Sequence, residues 1–191
     1  YMKIYAIRHS LTQLNEEKKI QGRIDLPLSS YGTTHAHDIF SKLDLSVDVM
    51  FASPLIRAHQ TAIIAAQYLQ YDKPITLIQH FIERDFSSLD LLPVSESKPV
   101  VRGEVSLEGY ESDQHLLMRV NKGLSTIKHD LNYLTGLIVC HAHVLKALLI
   151  LAGEKNISFA DTIIMHDDLL EFELDAHTFK FKSMKKVKSD Q

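Results

Sequence analysis

Four short apolar runs in this chain are each followed by side chains able to handle a phosphate. Arg8, His9 and Ser10 follow Met2–Ile7, and Arg57 stands a few residues beyond Val47–Ala52. Glu83, Arg84 and Asp85 come after Ile75–Gln79, and His141, Ala142 and His143 after Gly136–Cys140. Core packing does not call for that set of residue types. A guanidinium presents a planar fork of donors that matches phosphate oxygens. A neutral imidazole can attack phosphorus, and a second imidazole can hold a transferring oxygen beside the two Arg side chains. A carboxylic acid at the third position can protonate the leaving oxygen.

For these groups to meet, the runs must be neighbouring strands. Met2–Ile7 reads as a buried strand, and Ser29–Leu43 as a helix capped by Ser29 or Ser30. Val47–Ala52 is a second strand. Ser53-Pro54 is expected to open the next helix, with Ser as cap and Pro at the first position, running to about Gln70. Ile75–Gln79 is a third strand. Residues 87–109, with Pro93, Pro99, Gly103 and Gly109, read as an irregular segment. A helix from Ser112 to Tyr133, a strand Gly136–Cys140 and a helix Val144–Leu151 ended by Gly153 follow. Thr162–Met165 and Leu169–Leu174 read as late strands, and Thr178–Met184 as a candidate third.

Alternating strands and helices imply an α/β fold: a three-layer α/β/α sandwich whose mostly parallel sheet carries an antiparallel edge. Ligands of such sheets bind beyond the carboxyl ends of the strands, where the candidates stand. Helix N-termini after the second and fourth strands add N–H donors and positive dipoles there.

Composition narrows the class. At 191 residues and 45% apolar content a single domain over 1–191 is expected. The net charge of −3 carries no basic footprint, so no nucleic-acid partner is expected, and the Lys180–Lys188 run reads as a solvated final strand. Apolar runs fall far short of the roughly 18 residues of a membrane span, and no signal peptide opens the chain. Cys140 is the one cysteine, which suits a reducing, cytoplasmic setting.

The motifs resemble those of the histidine phosphatases, the phosphoglycerate mutase-like superfamily, from Lys3 to about Asp175. Arg8-His9-Ser10 resembles the family's Arg-His-Gly, with Asn15 six residues on. Gln21-Gly22-Arg23-Ile24-Asp25-Leu26-Pro27-Leu28-Ser29, then Gly32, is similar to the phosphatase branch. Ser53-Pro54-Leu55-Ile56-Arg57-Ala58-His59-Gln60-Thr61-Ala62 matches the second Arg motif. Ile82-Glu83-Arg84-Asp85-Phe86 resembles the acid motif, Gly109-Tyr110-Glu111-Ser112 with Arg119-Val120 a helix start, and Val139-Cys140-His141-Ala142 the second His motif.

The resemblance implies a phosphoglycerate mutase-like fold and roles for the matching positions. His9 is implied as nucleophile through a phosphohistidine, and Arg8, Arg57 and His141 as phosphoryl ligands. Asn15 and the Ala142 N–H would assist, and Glu83 would be the acid and later the base. Gln21, Ser10 and His143 are candidate pocket neighbours. The expected reaction is metal-independent hydrolysis of a small phosphomonoester, a phosphorylated metabolite, with no cofactor. A homodimer is left open.

The chain departs from the pattern at three places. Ser10 stands for a glycine, Ala142-His143 for a Gly-Gly or Gly-X pair, and Ser87-Ser88-Leu89-Asp90-Leu91 for a Trp-Glu-Gly stretch. The last lies in a variable lid around 87–110, so no relative's substrate carries over. Competing readings are a phosphoglycerate mutase-type isomerase, a catalytically weak phosphate-binding member, and a metal hydrolase built on His141 and His143.

Overall fold

A computed structural model of the chain describes residues 1–129, 132 and 134–187. Six strands form one sheet: β1 (Met2–Arg8), β2 (Val49–Ala52), β3 (Thr76–Leu77), β4 (Thr135–Cys140), β5 (Asp168–Leu174) and β6 (Phe179–Lys186). Their order is β3-β2-β4-β1-β5-β6. The pairs β2–β3, β2–β4 and β1–β4 are parallel, and β1–β5 and β5–β6 antiparallel. The sheet is therefore mostly parallel with an antiparallel edge.

Period-two alternation splits the central strands between two cores. Met2, Ile4 and Ala6 of β1 face one way with Phe51 and Ile138; Ile7, Met50, Leu137 and Val139 face the other. The first face is covered by α5 (Asp113–Lys128) and α6 (Ala142–Leu151), through Leu116, Val120, Leu124, Leu145 and Leu148. The second is covered by α2 (Ser30–Ser41) and α3 (Ile56–Tyr68), through Ala36, Phe40, Ala58 and Ala62. A strand buried on both faces reads as a continuous apolar run, which is why β4 stands out in the sequence; β1 alternates, with Lys3 and Tyr5 half-exposed. Two short helices complete the set, α1 (Gln13–Glu16) and α4 (Lys98–Val101). No helix among the described residues is long and apolar enough to cross a membrane.

Several boundaries differ from the sequence expectation. Thr162–Met165 is not a strand: both edges of β1 are already taken, by β4 and β5, and this segment closes on itself through turns such as Thr162 N–H to the Ser158 carbonyl. The helix expected from Ser53-Pro54 begins at Ile56, with Leu55 at its N-cap and no side-chain cap of its own. Asp25 supplies one from a distance, its carboxylate accepting the Ile56 N–H at 2.7 Å. Helix α6 begins at Ala142, two residues earlier than the apolar run suggests. The expected helix end at Tyr133 and the final Lys188 lie outside the described residues.

The segment expected to be irregular contains two 3₁₀ turns, Ser87–Leu89 and Val94–Ser97, and α4. It is stitched to the 18–20 stretch by backbone bonds: Ile20 N–H to the Leu92 carbonyl, Leu91 N–H to Ile20 and Val94 N–H to Lys18.

Candidate active site

Beyond the carboxyl ends of β1, β2 and β4 lies a cavity of ≈ 360 Å³ whose walls include Arg8, His9, Asn15, Gln21, Arg57, Glu83, Ala142 and His143. His9 follows β1 directly, and its N–H still bonds the Cys140 carbonyl at 2.9 Å, so the end of β4 fixes its height. Its Nδ1 lies 2.5 Å from the Ser10 carbonyl, an atom that can only accept, so Nδ1 carries the proton. Nε2 accepts from Nε of Arg57 at 3.3 Å and is therefore bare. Burial, then the neighbouring charge of Arg57, holds the His9 pKa well below its usual value. The ring is a neutral base with its lone pair at Nε2.

Arg57, in the first turn of α3, is 1% exposed. Besides His9 it donates Nη1 to the Ile24 carbonyl at 2.7 Å and Nη2 to that of Gly22 at 2.6 Å. Gly22 adopts φ +47°, and a Cβ there would lie 2.6 Å from an Asp90 oxygen, so glycine suits both the backbone conformation and the close approach of Asp90. Burial lowers the Arg57 pKa to about 10, with Glu83 opposing, and the group stays charged at neutral pH. Arg8 donates Nη1 to the Ile164 carbonyl at 3.2 Å, and its buried Nε has no protein partner.

His141, at the N-cap of α6, is fully buried behind His9, with ring centroids 5.1 Å apart, rather than in the cavity wall. Its Nε2 lies 2.7 Å from Oγ of Ser53, and its Nδ1 is buried without a partner. A Ser53 hydroxyl donating to Nε2 corresponds to the Nδ1–H tautomer. Burial first, then Arg57 and Arg8, keeps His141 uncharged. Ser53, which the sequence suggested as a helix cap, is thus the partner of His141.

Glu83 is 7% exposed, with Oε1 accepting the Arg84 N–H at 2.7 Å and Oε2 near the His143 N–H at 3.4 Å. Its segment is clamped from α5. Arg119 donates to the carbonyls of His80 and Ile82 and, through Nε and Nη2, to both oxygens of Glu111. Against the burial that would raise it, Arg119 holds Glu111 ionised, with a pKa of about 2. The Glu111–Arg119 pair thereby positions Glu83.

Asn15 closes a capping box with Thr12 at the start of α1. Its Oδ1 accepts from Thr12 N–H at 2.9 Å and from Gln21 Nε2 at 3.1 Å, which aims the Nδ2 donors elsewhere.

Ser10 differs from the expectation of a pocket neighbour. Its hydroxyl donates to the Gly32 carbonyl at 2.7 Å and its N–H to Thr61 Oγ1 at 3.0 Å, so it packs between α2 and α3, away from the cavity. His143 does line the cavity, stacked on Phe159 at 5.5 Å and edge-on to Phe86 at 5.0 Å. Burial, then Lys146 and Arg84, keeps it uncharged. Among the described residues no group of three His, Cys, Asp or Glu is placed to hold a metal ion.

Sequence reasoning missed His166. Its Nδ1 lies 2.6 Å from the His9 carbonyl and its ring stands edge-on to the His9 ring at 5.6 Å. Burial, with Arg8, lowers its pKa to about 3. The signal was a histidine just past an apparent strand end, the same rule that found His9 and His141, masked because 162–165 is a crossing loop. Lys146, also in the cavity wall, was overlooked inside the apolar run of α6.

The "Uncharacterized phosphatase PhoE" of Bacillus subtilis is 31% identical over 147 residues, covering 76% of this chain and 75% of that one. A "Probable phosphoglycerate mutase GpmB" of Escherichia coli O1:K1 / APEC is 28% identical over 156 residues, covering 77% and 73%. The alpha-ribazole phosphatase of Shigella flexneri shares the fold with a TM-score of 0.81 at 21% identity, over 97% of each chain. A phosphoglycerate mutase of Bacillus anthracis str. Sterne does so at 0.82 and 17%, over 97% of this chain and 93% of that one. The model describing the histidine phosphatase superfamily (branch 1) matches residues 4–186, and the chain belongs to that family.

Proposed function

We propose that the protein is a metal-independent phosphatase that hydrolyses a small phosphomonoester through a phosphohistidine at His9. The observation that carries this is the unprotonated Nε2 of His9, a residue of the cavity wall, which accepts from the Arg57 guanidinium while Nδ1–H is tied to the Ser10 carbonyl.

In the first step the Nε2 lone pair forms a bond to phosphorus and the bond from phosphorus to the ester oxygen breaks. Glu83, as the carboxylic acid, gives its proton to that oxygen, and the alcohol leaves. Arg8, Arg57, the Nδ1–H of His141 and the first N–H of α6 at Ala142 hold the three equatorial oxygens, donors fixed before charge develops. Phosphorylated at Nε2 and protonated at Nδ1, the ring is cationic, and the Ser10 carbonyl then accepts a charge-assisted bond. In the second step the Glu83 carboxylate takes a proton from water. The water oxygen bonds phosphorus, the P–N bond breaks, its electron pair returns to Nε2, and phosphate departs.

A mutase would pass the same phosphoryl group to a substrate hydroxyl, and likeness to GpmB keeps that outcome in the test. The assay is release of inorganic phosphate from a panel of phosphomonoesters in excess chelator, with product analysis on phosphoglycerate. Phosphate release by the wild type and none by His9→Ala supports the reading; isomerised phosphoglycerate as main product, or full activity in His9→Ala, overturns it. The reading includes a cytoplasmic setting, on the strength of the lone buried Cys140.

A further inference from the structure

Lys146 is a charged residue with unusual surroundings. It lies in the middle of α6, is 7% exposed, and forms part of the cavity wall. Its one hydrogen-bond partner among the described residues is the Phe159 carbonyl, 2.8 Å from Nζ. An ammonium has three donors and a full charge, so one neutral acceptor leaves most of its capacity unused. The nearby carboxylates are engaged elsewhere: Asp161 by Arg102 at 2.7 Å and by Lys98, and Glu83 by two backbone N–H groups. Among the described residues no carboxylate forms a salt bridge with Nζ; burial lowers the Lys146 pKa to about 8, with the charge of Glu83 opposing from a distance. A group kept in that condition beside a cavity gains from an anion brought by the ligand.

Its position says where that anion would sit. Ala142 and Lys146 are four residues apart on one helix face, about 6 Å along the axis. The ammonium therefore stands about one turn beyond the N–H proposed to hold the phosphoryl group. The same cavity is walled by the apolar residues Val94, Ile163 and Met165, which are 49%, 73% and 47% exposed.

We infer that Lys146 is a specificity-determining residue: its ammonium takes a carboxylate on the leaving alcohol, while the carbon frame joining carboxylate to phosphate rests on Val94, Ile163 and Met165. The substrate class is a phosphomonoester of a hydroxy acid with an apolar frame. This deepens the proposed function and rests on it for the placement of the phosphoryl group.

The test compares phenyl phosphate with the 2-, 3- and 4-carboxyphenyl phosphates, and the corresponding phosphonates as non-hydrolysable ligands by calorimetry. The wild type is expected to favour at least one carboxylated compound in kcat/KM and in Kd. Lys146→Met and Lys146→Gln are expected to lower that preference about tenfold or more, chiefly through KM, the scale of a lost charge-assisted bond. Gln still donates to the Phe159 carbonyl, so it keeps the wall in place without the charge. An equal loss for all compounds in both variants would assign Lys146 a purely structural role and overturn the inference. So would a wild type that favours phenyl compounds throughout, a result needing no variant. Hydrolysis without a carboxylate preference sinks Lys146 alone. A charge-dependent phosphonate preference without hydrolysis sinks the phosphatase reading alone.

Discussion

Nε of Arg57 lies 3.3 Å from Nε2 of His9, and the other two nitrogens of the same guanidinium are bound by the Ile24 and Gly22 carbonyls. The 22–24 strap thus sets the plane of the fork, and the fork sets the direction of the imidazole. Lysine can supply the charge but not the plane. Arg57→Lys is expected to lower kcat/KM for the best ester roughly 10²-fold, by loss of one preorganised donor set. Steady-state kinetics at saturating and limiting ester check this; a loss below threefold would mean that charge alone suffices.

The Ser53–His141 contact yields a second expectation. Ser53→Ala removes the hydroxyl that pairs with His141 and leaves Nε2 buried without a partner. A fall in kcat/KM of about tenfold is expected, by analogy with partners that orient functional histidines, with a stability loss of about 1 kcal/mol from the lost buried bond. Kinetics and urea unfolding on the same samples separate the two effects. Unaltered kinetics would show that His141 needs no such support.

Three buried imidazoles and the half-buried His166 give the stability a pH signature. His9, His141 and His143 have folded pKa values well below 6.5, and His166 about 3, burial being the largest cause in each. In the unfolded chain each titrates near 6.5, so below that pH the unfolded state binds more protons and stability is lost as the pH is lowered. Above about pH 7 both states are neutral and these groups add no slope. Each contributes at most about 1.4 kcal/mol per pH unit below 6.5, so urea unfolding at pH 7, 6 and 5 should show a steepening loss. His166→Gln should reduce the slope by one proton. A flat profile over that range would contradict neutral burial of the cluster.

Much of the site was readable because strand ends are readable. β4 is buried on both faces and appears as a continuous apolar run, and β1 is a largely apolar run whose buried residues alternate with half-exposed ones, so the residues after them, His9 and His141, were located by rule. What was hidden depends on contacts between distant segments. The Ser53 hydroxyl turns toward His141, 88 residues away, and Asp25 caps α3 in its place. Ser10 turns from the cavity because α2 comes close: a Cβ on Gly32 would lie 1.8 Å from the Leu11 carbonyl oxygen, an approach that only glycine allows. The apolar run 162–165 imitates a strand, but the positions beside β1 are filled, and His166 arrives at the site on a loop. Lys146 was obscured by the apolar residues around it, the same burial that makes its charge informative.

The most direct test is to trap the phosphoenzyme. Wild-type protein is mixed with ester, quenched within milliseconds in alkali, where N-phosphoryl bonds survive, and digested for mass spectrometry. One phosphoryl group on the peptide containing His9 is expected, attached at Nε2 and lost in acid, and none in His9→Ala. A phosphoryl group on another residue, or turnover at the wild-type rate by His9→Ala, would contradict the account.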